Sequence, residues 1–93
     1  MSEKILIIDD EQTTVKLIEI LLQRRGFDVI TAYSAEEGLK KAYRNQPDLV
    51  LLDIMMPDMD GWEVCRRLRD MSDVPIIFLT ARGELRDMVY GLS

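Results

Sequence analysis

At 93 residues, 47% of them apolar and 31% charged, the chain has the size and composition of one small globular domain, neither disordered nor fibrous. A net charge of −5 argues against nucleic-acid or membrane-surface binding by this segment, and no apolar run is long enough to span a bilayer. Histidine is absent and Cys65 is the only cysteine, which excludes histidine acid–base catalysis, an internal disulfide and a zinc ligand set, and fits a reducing, cytoplasmic setting. Met1 to Lys4 runs straight into a strand, leaving no room for a signal peptide. Ile5 to Ile8 is the continuous apolar run of a strand buried on both faces, and it ends at Asp9 and Asp10. Val15, Ile18, Leu21 and Leu22 then recur at helical spacing from about Gln12 to Arg25, with Gly26 as the stop. Val29 to Ala32 reads as a second strand. Ser34 to Glu37 is a capping box opening a helix that runs to about Asn45. Leu49 to Leu52 is a third strand ending at Asp53, and Ile54 to Asp60 is a loop. Asp60 caps a third helix with Val64, Cys65 and Leu68 on one face. Ile76 to Leu79 is a fourth buried strand ending at Thr80, and Glu84 to Leu92 fits a short helix.

This alternation requires parallel strands joined by right-handed crossovers, a doubly wound α/β sheet. Ligand sites in such sheets lie beyond the carboxyl ends of the strands, where Asp9, Asp10, Asp53 and Thr80 all fall. Each has a plainer use when taken alone. Asp9 and Asp10 suit a helix cap, Asp53 a solvated loop, and Thr80 the end of a strand. Three carboxylates at neighbouring strand ends would repel one another, and a hard divalent cation such as Mg²⁺ removes that penalty. A carboxylate nucleophile, metal ligands and a hydroxyl donor are the parts that phosphoryl transfer needs. Asp58 reads as a solvated loop residue, Trp62 and Cys65 as packing residues, and Arg66, Arg67 and Arg69 as a solvated helix face.

Ile7 to Glu11, Leu52 to Gly61 and Pro75 to Arg82 together resemble the receiver domains of two-component signalling, in order and over essentially the whole chain. The resemblance implies a flavodoxin-like fold with strand order 2-1-3-4 over residues 1–93. It implies that Asp53 is the phosphoacceptor and that Asp9 and Asp10 hold Mg²⁺, with Asp53 and the Met55 backbone carbonyl completing the metal site. It also implies that the Thr80 hydroxyl contacts the phosphoryl group. The phosphoryl donor would be a phosphohistidine on a sensor histidine kinase or phosphotransfer protein. The chain would be an acceptor domain rather than a turnover enzyme.

Family members continue into a fifth strand, a fifth helix and a lysine, so the resemblance reads this chain as a C-terminally truncated receiver. None of Lys4, Lys16, Lys40 and Lys41 is placed to replace that lysine. The expected consequences are impaired phosphorylation and a bare fourth-strand edge able to pair two copies into a homodimer. The competing reading is a receiver fragment that no longer switches and serves as a structural or oligomerising module. A flavin module is disfavoured by the acidic residues after the first strand, a P-loop enzyme by the lack of a Gly-Lys-Ser/Thr segment, and an aspartate-nucleophile phosphatase by Met55 two residues after Asp53.

Overall fold

The structure, a computed structural model, describes residues 2–79 and the backbone of 89–90. Eight elements run β1 (Lys4–Ile8), α1 (Gln12–Arg24), β2 (Asp28–Ala32), α2 (Ala35–Asn45), β3 (Leu49–Asp53), α3 (Gly61–Met71), β4 (Ile76–Leu79) and β5 (Val89–Tyr90). The first four strands are parallel in the order β2-β1-β3-β4, as the crossover pattern requires. The chain turns one way from β1 to β2 and the other way from β1 to β3. The topological switch point therefore lies between the ends of β1 and β3, beside Asp9 and Asp53.

Alternation along the strands divides the core between two faces. Leu6, Ile8, Val50, Leu52, Ile76 and Phe78 pack under α2 and α3, against Ala35, Ala42, Val64 and Leu68. Ile5, Ile7 and Leu51 pack on the other face with Val15 of α1, joined by Ile18 and Leu22. The strands are apolar at successive positions because both faces are covered. Leu21, expected on the inward face of α1, is instead 53% exposed, as are Leu17 and Ile20 in comparable degree. Its neighbour Leu22 takes the inward position, the apolar band of this helix being wider than the stripe that meets the sheet.

Local chemistry sets the ends of the elements. Gly26 has φ +91°, and its N–H donates to the Gln23 carbonyl while that of Phe27 donates to Leu22, the Schellman closure that a residue without Cβ permits. At α2 the Ser34 hydroxyl accepts from the Glu37 N–H at 3.1 Å, and the Glu37 carboxylate accepts from the Tyr33 N–H at 2.8 Å. This is the expected capping box, shifted outward by one residue at its acidic arm. Gly38 lets α2 approach β1: a Cβ there would lie 2.5 Å from Ile8 Cδ1.

The edge of β4 departs from the bare strand expected from sequence. Val89 and Tyr90 pair antiparallel with Ile77 and Ile76, adding a two-residue fifth strand within the span expected as a helix. Two residues of high strand propensity satisfy backbone groups that β4 would otherwise leave open. The rest of the expected Glu84 to Leu92 helix, and Thr80, lie outside the described residues.

Candidate functional site

β1 and β3 run in register, Ile8 opposite Leu52, so the next residue of each strand reaches the same edge. Those residues are Asp9 and Asp53, and both are buried. Asp10 follows Asp9 and is exposed. One carboxylate oxygen from each of the three lies within 4.8 Å of the others.

Neither buried carboxylate is spent on a helix cap. The N-cap of α1 is Glu11, whose side chain makes no capping bond to the helix backbone and instead accepts from the Thr14 hydroxyl. Asp9 Oδ1 accepts from the Glu11 N–H at 3.0 Å, and Asp53 Oδ1 accepts from the Met55 N–H at 3.1 Å. Each is an Asx-type turn two residues long, which orients one oxygen of the carboxylate.

Burial drives the electrostatics. It pushes the Asp9 carboxyl up to about 6, opposed by the Glu11 N–H and reinforced by the charge of Asp53. Asp53 is likewise raised, first by burial and also by the negative charges of Asp10 and Glu11, against the bond from the Met55 N–H and a hydrogen bond with the Asp9 carboxyl. Among the described residues, the charges acting on the pair are thus carboxylates. Three hard oxygen donors gathered within 4.8 Å of one another in a partly dry crevice have the chemistry that a hard divalent cation such as Mg²⁺ takes.

The loop after Asp53 is held at its base and at its tip. At the base, Met55 bridges Asp60 and the Gly61 N–H donates to the Ile54 carbonyl at 2.9 Å. This closure needs glycine, since a Cβ at Gly61 would lie 2.6 Å from Ile54 Cα. Asp60 caps α3 as expected, accepting from the Trp62 N–H at 2.6 Å. Met56 is buried in the core while Met55 is 64% exposed. Asp58, expected to be merely solvated, accepts from the N–H groups of Ala35 and Glu36 at 3.1 and 3.2 Å, tying the loop to the start of α2.

The family model for the response regulator receiver domain matches residues 5–93. The chain belongs to that family. A similar protein is the alkaline phosphatase synthesis transcriptional regulatory protein PhoP of Bacillus subtilis, 50% identical over all of this chain and 39% of the relative. The probable transcriptional regulator ycf27 of Guillardia theta is 49% identical over 98% of this chain and 36% of its own length. The chain thus spans about two-fifths of the length of these curated relatives. Among solved structures, the N-terminal domain of a response regulator receiver protein from Methanoculleus marisnigri superposes with a TM-score of 0.80 at 44% identity, covering 85% of this chain and 67% of that one. The BeF3-activated receiver domain of Klebsiella pneumoniae RstA superposes equally well at 37% identity, covering 84% and 67%.

Receiver domains in general hold Mg²⁺ in an acidic pocket, and in this receiver Asp9, Asp10 and Asp53 form such a cluster. Of the residues read from sequence as packing groups, Trp62 is 43% exposed and packs through a ring contact, while Cys65 meets the core. Trp62 stacks obliquely on Phe78 with ring centroids 4.8 Å apart, and Cys65 lies half-buried against the core. The arginines are tied down locally: Arg66 and Arg67 pair with Glu63, and Arg69 donates to the carbonyls of Ser72 and Val74. Among the described residues, no helix of this receiver is long and apolar enough to cross a membrane.

Proposed function

We propose that Asp53 is the phosphoacceptor of this receiver, taking a phosphoryl group from a phosphohistidine on a sensor histidine kinase or phosphotransfer protein. The observation that carries this reading is the buried Asp53 carboxylate at the switch point, with one oxygen held by the Met55 N–H and the carboxylates of Asp9 and Asp10 alongside. A carboxylate oxygen attacks phosphorus in line. The new P–O bond forms as the P–N bond breaks, and the donor imidazole leaves with its electron pair. Asp9, Asp10, Asp53 and the Met55 carbonyl are the groups that would hold Mg²⁺, which when bound neutralises charge on the carboxylates and the phosphoryl oxygens. Leu79 is the register partner of Asp53, which supports a phosphoryl contact for Thr80, the next residue in sequence.

The role is acceptance, not turnover, in a cytoplasmic signalling protein. The relatives' printed names point to transcriptional regulation as the output of a longer chain. Two of the lysines are already engaged by other groups. Lys4 donates to the Asn45 carbonyl at the opposite end of the sheet, and Lys41 is engaged by Thr31 and Glu37.

Incubation with Mg²⁺ and acetyl phosphate, read by intact mass, tests the assignment. One phosphoryl addition is expected, abolished by EDTA and absent from Asp53→Asn. Equal labelling of the parent and Asp53→Asn would overturn the role of Asp53. No labelling of either, with Mg²⁺ bound, would favour the non-switching reading.

A further inference from the structure

The hydrogen bonds at the start of α2 divide between two sources. Ser34 supplies the local one, its hydroxyl accepting from Glu37 and its carbonyl from Gly38. The two remaining N–H groups, those of Ala35 and Glu36, are both taken by the carboxylate of Asp58, a loop residue more than twenty positions away in sequence. A charged acceptor at a helix N-terminus is favourable for the bonds and for the helix dipole alike. An ordinary cap comes from the residue beside the helix. One drawn from a distant loop fixes the loop as much as the helix.

We infer that Asp58 is a positioning residue that ties the loop carrying Asp53 and Met55 to α2, and through α2 to the strand carrying Asp9. The connections form a closed circuit. Gly38 seats α2 directly on Ile8, the residue before Asp9. The N-terminus of α2 holds Asp58. The loop is closed at its base by the Met55–Asp60 bridge and the bond from Gly61 to Ile54. With Asp58 in place, the carboxylate on β3 and the Met55 carbonyl are set relative to the carboxylate on β1 before any ligand arrives. Pre-setting of this kind is what lets residues outside a metal's ligand set govern affinity. The inference rests on the proposed function only for what the site binds, since the tether itself is a property of the metal-free protein.

Ser34→Ala provides the control. It removes a cap from the same helix end without touching the loop, so a merely structural effect of weakening α2 appears in both variants. The comparison uses the full 93-residue chain, by NMR amide exchange without metal and then by Mg²⁺ titration. In Asp58→Ala the Met55 and Gly61 amides should exchange about tenfold faster, and Mg²⁺ affinity should fall about tenfold. Asp58→Asn, which keeps one acceptor oxygen, should lie between. Ser34→Ala should leave both readouts within about twofold of the parent while lowering the melting temperature. Unchanged Met55 exchange in Asp58→Ala, or equal changes in Ser34→Ala, would overturn the tether. A parent chain indifferent to Mg²⁺ would instead count against the proposed function, and the exchange comparison would still decide the tether.

Discussion

Asp9 shows how one residue can be set against the fold that contains it. A carboxyl raised to about 6 in the folded state and near 3.8 when unfolded holds more protons folded than unfolded between those values. Stability without metal therefore falls as pH rises from about 4 to 6, and the buried charge is an uncompensated cost above that range. Asp53 acts in the same direction. Asp9→Asn keeps an oxygen to accept from the Glu11 N–H while removing the charge. In thermal melts without metal, it should be more stable than the parent at pH 7.5, by up to about 3 kcal/mol, with the advantage shrinking towards pH 4. A less stable Asp9→Asn at pH 7.5 would show that burial does not oppose this charge. The same conflict made the pair legible in sequence, because an apolar strand that ends in carboxylates at neighbouring positions has no packing reason to do so. Asp58 offered no such sign. Its partners are remote in sequence, and an acidic residue in a Pro-Asp-Met-Asp loop looks like any solvated one.

At the level of elements, the long apolar runs and the capping residues located the strands and helices to within a residue or two, because burial on both faces and unmet N–H groups leave direct marks on composition. β5 left none. Two residues cannot show a period, and their pairing depends on an edge supplied by β4. The contact of α2 with β1 is also invisible in sequence, where Gly38 appears only as a poor helix former. Its consequence is measurable. Gly38→Ala would gain up to about 1 kcal/mol of helix propensity, yet its methyl would meet the fully buried Ile8 at 2.5 to 2.8 Å. Overpacking of about 1–3 kcal/mol should prevail, with a lower midpoint in urea. Ile8→Val removes Cδ1, the nearest clashing atom, so the double variant should be more stable than the sum of the single losses predicts. Strict additivity would mean that the helix relieves the clash by shifting as a whole.

Across the whole molecule, the proposed Mg²⁺ site would couple metal binding to folding, since two of the three clustered carboxylates are buried and come together only when β1 and β3 pair. A ligand that binds the folded state alone, at a hundredfold excess over its dissociation constant, adds about 2.7 kcal/mol. For a domain of this size that is a rise of about 10–20 °C in melting temperature. Binding requires ionised carboxylates, so protons compete for the site as pH approaches the raised value of Asp9, about 6. The two pH profiles should therefore slope in opposite senses. Without metal, the protein gains stability as pH falls from 7.5 to 5. With a fixed Mg²⁺ concentration it loses most of the metal-dependent increment over the same interval. Glu63, held down to about 2 by Arg66 and Arg67, and Glu37, lowered by the Tyr33 N–H and by Lys41, act the other way. Both carboxylates stay ionised in the folded protein below their ordinary range, so their stabilisation is lost only as pH falls below about 4.5, which leaves the interval clear. Calorimetry at pH 7.5 and 5, with and without Mg²⁺, separates the four conditions. An Mg²⁺ increment of equal size at both values would show that the ion binds somewhere other than the Asp9, Asp10 and Asp53 cluster.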